Sequence, residues 1–198
     1  AGIAATLHQL GIICQYQGRY EQAHQYYERS LEISQELGDK AGAAATLHQL
    51  GLAHADRGDY VRARRYFSYS LRIREALGDK LGIERSLQQL AGIYLLRGEY
   101  ERAHDYYRRS LSLAEALGDK HGVARILHQL GMIAYNQGDY DAAQENYLRS
   151  LGIQGALGER LGIAHTLHQL GMVFHAKGDY EEAEGYYQRS LVIERDLN

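Results

Sequence analysis

A five-residue motif that returns at a fixed interval constrains this chain more than any other feature of its sequence. The motif Leu7-His8-Gln9-Leu10-Gly11 recurs unchanged at residues 47–51, 127–131 and 167–171, and a diverged copy occupies residues 87–91. Each copy starts 40 residues after the one before it. A period between about 20 and 50 residues marks an array of stacked structural repeats, in which each unit contacts its neighbours.

The period divides the whole chain into five repeats. We place them at residues 1–40, 41–80, 81–120, 121–160 and 161–198. Hydrophobic residues make up 45% of the sequence, which is enough apolar surface for a continuous core. The sequence therefore predicts a single repeat domain that spans all 198 residues.

The second repeat shows why each unit is expected to form two helices. Four of its residues fall at i, i+3, i+4 and i+7 and so share one helical face: Leu47, Leu50, Gly51 and His54. Gly58 is expected to end this first helix, A, and Asp59 to cap the second helix, B. Because the links are about two residues long, successive helices are antiparallel neighbours, and five repeats predict an all-α chain of ten helices.

The same pattern predicts the packing of both helices. On helix B the inner stripe is expected to contain Tyr60, Ala63, Phe67, Ser70, Leu71 and Leu77. Helix A contains an internal glycine at Gly11, Gly51, Gly131 and Gly171, although glycine costs a helix about 1 kcal/mol relative to alanine. We expect this cost to be offset by close approach of the small helix-B residues Ala23, Ala63, Ala143 and Ala183. Repeat 3 has Ala91 at this position, so a slightly wider contact is expected there.

Composition narrows the classes of function. The formal charge of −3 argues against a dedicated nucleic-acid-binding protein, and the sequence contains no apolar run of membrane-spanning length. The single cysteine, Cys14, excludes an internal disulfide and fits a reducing, cytoplasmic location. No phosphate-binding glycine motif and no nucleophile–base set is evident. We therefore predict a protein that is not an enzyme and needs no cofactor.

The order of motif residues resembles the tetratricopeptide (TPR) repeat. Leu10-Gly11 and Ala23 match that pattern directly, whereas Leu7 and Tyr27 stand for its tryptophan and phenylalanine. The final proline is missing, and helix B runs on through Leu37 to give a 40-residue unit. This longer form resembles the TPR arrays of Pins-type adaptors and kinesin light chains. Leu-His-Gln-Leu-Gly with Gly-Asp-Tyr is most similar to the sensor arms of STAND-type signalling ATPases.

The resemblance implies both an architecture and a binding surface. It implies a right-handed α-solenoid, a TPR-like superhelix of five antiparallel helix pairs, whose A helices line a concave groove that binds a protein or an extended peptide. The groove residues implied in repeats 1 to 3 are His8, Gln9, Ile12, His48, Gln49, Leu52, Arg85, Gln88 and Gln89. Those implied in repeats 4 and 5 are Arg125, His128, Gln129, Met132, Tyr135, Asn136, His165, His168, Gln169, Met172 and His175.

Two groups of groove residues have alternative interpretations. The five recurring glutamines offer both a donor and an acceptor, as a peptide backbone does, but they could instead bridge adjacent A helices or recur simply because the repeats duplicated recently. The motif histidines are too far apart to share one metal ion, so no metal site is expected, and only His165 and His168, at i and i+3, could chelate weakly. Polar contacts, with charging near pH 6, are the favoured interpretation of the histidines.

These observations predict a protein- or peptide-binding scaffold, with the sensor arm of a larger STAND-like protein as the favoured form. A stand-alone or consensus-derived adaptor is the alternative, and a helical array that contacts nucleic acid is less favoured. The chain opens in the middle of the pattern at Ala1, so it is expected to be part of a longer protein. Neither terminal repeat carries a polar cap, so end-to-end self-association is also expected.

Overall fold

The fold was analysed in a computed structural model, which describes residues 2–197. Ala1 and Asn198, the outer limits of the first and last predicted repeats, lie outside the described residues. Residues 2–197 form ten α-helices and contain no β-strand. Their bounds are α1 Gly2–Tyr16, α2 Tyr20–Glu36, α3 Lys40–Asp56, α4 Tyr60–Leu77, α5 Lys80–Leu96, α6 Tyr100–Leu117, α7 Lys120–Asn136, α8 Tyr140–Leu157, α9 Arg160–Lys177 and α10 Tyr180–Leu197.

The chain divides into two compact units, the first ending at Ile93 and the second beginning at Tyr94, within α5. In the first unit α1 packs on α2, α3 on α4, and α2 on α3, while α1 also touches α3. In the second unit α7 packs on α8 and α9 on α10, and α7 touches α9 in the same way. In each unit, therefore, the A helices of successive repeats lie side by side. The prediction of a single five-repeat domain stays a prediction.

The turns follow the predicted glycine and aspartate pattern. Gly58 has a φ of 76°, the left-handed conformation that glycine adopts without a steric penalty. Asp39 accepts a hydrogen bond from the backbone N–H of Gly42 at 2.8 Å, and Asp59 accepts one from Arg62 at 3.1 Å. Both aspartates therefore cap the helix that follows, as was predicted for Asp59.

The core stripe of helix B is largely as predicted. Ala63, Phe67, Ser70 and Leu71 are buried and Tyr60 is half-buried, but Leu77, the last residue of α4, is 46% exposed. A recurring serine ties the two helices of a repeat together, since its hydroxyl donates to a carbonyl in helix A. These bonds join Ser30 to Ala4, Ser70 to Ala44, Ser150 to Ala124 and Ser190 to Ala164, at 2.7–2.8 Å.

The glycines inside helix A have a different partner from the one predicted. An added Cβ at Gly51 would lie 2.6 Å from the ring of Phe67, and one at Gly131 would lie 2.7 Å from the ring of Tyr147. Gly11 and Gly171 face Tyr27 and Tyr187 in the same way. The small residue is therefore required by an aromatic ring of helix B that packs against it, and not by the alanines. The wider contact expected in repeat 3 stays a prediction.

Candidate functional site

The motif histidines of the first unit are packed between helices. The His8 ring lies 5.8 Å from the Tyr27 ring, and its Nδ1 is 3.1 Å from the Thr46 hydroxyl on the next A helix. The His48 ring lies 5.2 Å from Phe67, but its Nδ1 has no hydrogen-bond partner within residues 2–197. Ser86 holds the position equivalent to Thr46, and its hydroxyl accepts a bond from the Arg74 guanidinium at 3.3 Å.

The second unit repeats this arrangement. His128 lies 5.3 Å from the Tyr147 ring and 3.1 Å, through Nδ1, from the Thr166 hydroxyl. His168 lies 5.3 Å from the Tyr187 ring. The motif histidine therefore joins helix A to its own helix B and, in repeats 1 and 4, to the next A helix.

Burial of these rings changes their acid–base behaviour. Desolvation lowers the pKa of His8 and of His128, and the neighbouring His165 lowers that of His128 further. For His48, desolvation and the charges of Arg74 and Arg85 lower the pKa to about 4. The expectation that these histidines charge near pH 6 is wrong for His48, because its ring is held in the neutral form.

The recurring glutamines are all at least partly exposed. Gln9 is exposed, and Gln49, Gln89, Gln129 and Gln169 are half-buried. Within the described residues, none of the five side-chain amides hydrogen-bonds to another residue. A bridge between adjacent A helices, the structural alternative for these glutamines, is therefore not formed.

The remaining predicted residues surround the glutamines. One helical turn further along their A helices, Ile12 and Leu52 of the first unit and Met132 and Met172 of the second unit are half-buried apolar residues. Arg85, Arg125, Asn136, His165 and His175 are exposed, whereas Gln88 and Tyr135 are half-buried. The Tyr135 ring lies 5.6 Å from Tyr140, and the His175 ring lies 5.4 Å from Tyr180.

A polar side-chain contact also links two A helices, α1 and α3. The Gln15 amide donates to the Asp56 carboxylate at 2.7 Å and accepts from the Tyr27 hydroxyl at 2.9 Å. In repeat 4, Tyr135 stands where Gln15 stands in repeat 1, and the buried Tyr147 hydroxyl has no partner within residues 2–197. The substitution of Tyr135 for glutamine explains that unpartnered hydroxyl.

A cavity between successive repeats was not anticipated from the sequence. Between repeats 1 and 2 its volume is about 180 Å³, and Ala5, Ser34 and Ala45 are among its lining residues. The equivalent cavity between repeats 4 and 5 has a volume of about 400 Å³. Its lining residues are His121, Arg125, His128, Gln154, Glu159, Gly162 and His165.

The sequence signal for this cavity is a variable position in the last turns of helix B. Ser34, Arg74, Ala114 and Gln154 occupy it in repeats 1 to 4, and all four are buried. Arg74 extends across the interface and donates to the Gly82 carbonyl at 2.7 Å, whereas Gln154 accepts from the Thr166 hydroxyl at 2.9 Å. A buried position that changes its chemistry from repeat to repeat is a candidate for specificity, but it lies on the helix outside the predicted groove.

No cluster of three or more histidine, cysteine, aspartate or glutamate side chains with metal-binding geometry occurs within residues 2–197. In the same part of the chain, no helix combines the length and the apolar character that crossing a bilayer requires.

Comparison with known proteins identifies the family. The tetratricopeptide repeat family profile matches residues 2–76, 42–116 and 122–193. The chain therefore belongs to the tetratricopeptide repeat family. A search of curated protein sequences finds no match.

Solved structures with the same fold come from several kinds of protein. BtubC from P. vanneervenii is 25% identical, with a TM-score of 0.91 over 99% of this chain and 82% of that one. A putative kinesin light chain from Podosopora anserina is 17% identical, with a TM-score of 0.81 over 98% of this chain and 96% of that one. The STAND protein PH0952 from Pyrococcus horikoshii, which has a TPR sensor, is 19% identical, with a TM-score of 0.89 over 97% and 30%. These matches confirm the all-α TPR solenoid fold and the predicted resemblance to kinesin light chain and STAND arrays.

Proposed function

We propose that this protein is a TPR scaffold that binds an extended peptide segment of a partner protein on the exposed side of its A helices. The observation that carries the proposal is the recurrence of glutamine amides at one position of each repeat, none of them bonded to another described residue. Membership of the TPR family supports a protein-interaction role.

The surroundings of the glutamines suit such a ligand. Each amide offers a donor and an acceptor that match the peptide group of an extended chain. One turn from the glutamine of the same helix lies a half-buried apolar side chain that offers apolar contacts, Ile12 or Leu52 in the first unit and Met132 or Met172 in the second. A hydrogen bond to a backbone, flanked by apolar side chains, gives affinity without strong dependence on the ligand sequence.

The test removes two amides and leaves the fold intact. The variant Gln89→Ala/Gln129→Ala is expected to weaken binding of a labelled pool of degenerate, unstructured peptides by about tenfold, since each lost bond is worth about 0.5–1.5 kcal/mol. Fluorescence anisotropy measures the affinity, and circular dichroism measures the melting temperature, which is expected to change little.

The matched control is Gln25→Ala/Gln35→Ala, which removes two exposed glutamines from helix B. This variant is expected to bind the peptide pool as the wild type does. Equal loss of affinity in both variants, or a loss of stability without a loss of affinity in the first, would overturn the proposal.

We also propose that the scaffold serves as the ligand-sensing arm of a larger STAND-like protein. Support comes from the TPR sensor of the STAND protein, although this chain matches only 30% of that protein's length. A stand-alone adaptor is the alternative. Sequencing the gene on both sides of this segment decides between them, since a STAND-like protein requires a nucleotide-binding glycine loop in the same reading frame.

A second interaction, between copies of the chain, is supported by the two terminal repeats. Leu10 is 37% exposed, whereas Leu50 and Leu90, at the same position of repeats 2 and 3, are fully buried. At the other end, Leu191 is 44% exposed, whereas its equivalent Leu71 is buried. Each terminal face therefore presents apolar side chains that a neighbouring repeat covers at internal positions.

Polar groups on the two faces are complementary as well. In the second unit the Gln137 amide donates to Glu101 of the preceding helix B at 3.2 Å. Glu181 and Gln17 hold the equivalent positions on the last and first repeats, so they can form the same bond between two copies. We therefore propose head-to-tail stacking, which need not close and can form chains of molecules.

Sedimentation across a wide concentration range tests the stacking. The wild-type mass is expected to rise with concentration, because the end faces bury apolar area when they meet. Leu10→Glu/Leu191→Glu is expected to abolish this rise, whereas Val61→Glu, at an apolar residue exposed on α4, should leave it unchanged. A wild-type chain that stays monomeric at every concentration would refute the proposal.

A further inference from the structure

The buried position that varies between repeats shows how this scaffold holds a guanidinium group. In repeat 2 this position is Arg74, whose guanidinium reaches across to the next A helix. It donates to the Gly82 carbonyl at 2.7 Å and to the Ser86 hydroxyl at 3.3 Å, and its Nε lies 3.9 Å from the Asp79 carboxylate. Repeat 2 therefore contains a guanidinium site that consists of a carboxylate, a carbonyl and a hydroxyl.

The interface between repeats 1 and 2 keeps these acceptors but lacks the guanidinium. Asp39, Gly42 and Thr46 hold the three acceptor positions, and Ser34 replaces the arginine. All four residues line the cavity of about 180 Å³ between these repeats. Because a water molecule takes about 30 Å³ of liquid, this space could hold about six waters, and so it has room for a planar guanidinium group. The serine thus leaves a cavity where repeat 2 has its own cation.

The acidic group of this cavity is not paired within the described residues. Asp39 Oδ1 accepts from the backbone N–H of Gly42 at 2.8 Å, but the carboxylate forms no ion pair with another described residue. The hydroxyl of Ser34, a residue that is 1% exposed, has no hydrogen-bond partner there either. His8 also lines the cavity, and burial lowers its pKa, which favours the neutral ring. At neutral pH the lining therefore carries one negative charge and no positive one.

The cavity reaches the face on which the peptide is proposed to bind. Ala5, which is exposed, and Ala45 line it, and each lies about one helical turn before the glutamine of its own A helix. The adjoining cavity between the B helices is lined by two positively charged side chains, Lys40 and Arg72. A cation therefore meets the unpaired carboxylate more favourably from the A-helix face than from the B-helix side.

We propose that this cavity is an arginine subsite of the peptide-binding A-helix face, and that an arginine of the bound chain places its guanidinium where Arg74 places its own one repeat later. The inference rests on the proposed peptide-binding function and adds a preference for arginine to it. The guanidinium pairs with the Asp39 carboxylate and donates to the Gly42 carbonyl and the Ser34 hydroxyl. Arginine suits the site better than lysine, because its planar group presents five donors in a fixed geometry.

The sequence of repeat 2 supplies a variant that closes the cavity. Ser34→Arg puts a guanidinium where Arg74 stands, opposite the same kinds of acceptor, so the fold should accommodate it. Asp39→Asn removes the charge alone, since asparagine caps a helix about as well as aspartate does. Asp119→Asn is the matched control, because it makes the same change at the cap of α7, where Ala114 holds the variable position.

The probe is a set of degenerate peptide pools that carry arginine, lysine or citrulline at one fixed position. Citrulline has the shape of arginine without its charge. The full chain is expected to bind the arginine pool about tenfold more tightly than the citrulline pool, and also more tightly than the lysine pool. Ser34→Arg and Asp39→Asn should lose this preference while they still bind all three pools, and Asp119→Asn should keep it. Peptide binding by the wild type without a preference for arginine, or a preference that survives in Ser34→Arg, would overturn the subsite and leave the proposed function standing.

A second measurement does not depend on peptide binding. N-acetylarginine amide is titrated into the full chain while NMR follows the Thr46 methyl and His8 imidazole C–H signals, with N-acetylcitrulline amide as the control ligand. Both signals are expected to shift with the arginine compound alone, and neither should shift in Ser34→Arg. Identical shifts with both compounds, or none with either, would refute the subsite. An arginine-specific shift in a chain that binds no peptide pool would refute the proposed function instead.

Discussion

Lowering the pH from about 7 to about 4.5 is expected to reduce the free energy of unfolding of the wild-type chain by about 2–3 kcal/mol more than that of a His48→Gln variant. The reason is the burial of the His48 ring between α3, the Phe67 ring and the charges of Arg74 and Arg85. These surroundings lower the pKa of His48 from its ordinary value of 6.5 to about 4 in the folded chain.

The sign follows from proton binding. Between about pH 6.5 and pH 4 the unfolded chain binds a proton at His48 that the folded chain does not. The contribution of the neutral ring to stability is therefore complete above the unfolded pKa and is lost as the pH falls towards the folded one. A difference of about 2.5 pKa units corresponds to at most about 3 kcal/mol.

Glutamine is a suitable replacement because Gln88 occupies the equivalent position of repeat 3. Urea denaturation of both chains across this pH range gives the two stability curves. His128→Gln is also expected to reduce the loss of unfolding free energy at low pH, since burial lowers the pKa of His128 too. Gln49→Ala, one residue away and without a titratable group, should keep the wild-type pH dependence. Parallel curves for wild type and His48→Gln would show that the ring is not held neutral by the fold.

The sequence predicts helices and turns well because one residue type at each boundary determines them. A glycine in the left-handed conformation ends helix A at Gly58, and an aspartate side chain begins the next helix at Asp59. Both effects act over a few residues, so they are visible in any single repeat. The 40-residue period then extends each assignment to every other repeat.

Contacts between repeats could not be predicted in the same way. The lowered pKa of His48 depends on the charges of Arg74 and Arg85, so residues from three helices are involved. The cavity lined by Gln154 requires two A helices, one B helix and the turn between them. Such sites arise at positions where the repeats differ, whereas the 40-residue period identifies only the positions that the repeats share.

The contacts of the interior glycines could not be predicted fully from the sequence either. Their spacing predicts close contact with helix B, but periodicity alone does not distinguish a nearby alanine from an aromatic ring. At Gly131 the contact is made by the Tyr147 ring, which is fully buried. That geometry leads to a stability prediction that differs from the one helix propensity makes.

Gly131→Ala is expected to lower the free energy of unfolding by about 1–2 kcal/mol, although alanine is the better helix former. The new methyl group would lie 2.7 Å from Tyr147 Cε1, and overpacking of this kind costs about 1–3 kcal/mol. The gain in helix propensity, about 1 kcal/mol, offsets only part of that cost. Propensity alone would predict the opposite sign.

The same substitution at Gly152 provides the control. Gly152 lies inside α8 with no atom within 4 Å of an added Cβ, so Gly152→Ala is expected to stabilise the chain by about 0.5–1 kcal/mol. Urea denaturation at neutral pH measures both variants. The decisive test repeats Gly131→Ala in a Tyr147→Leu background, which lacks the aromatic ring. There the substitution should be stabilising or neutral. If Gly131→Ala destabilises both backgrounds equally, the aromatic ring is not the reason for the glycine.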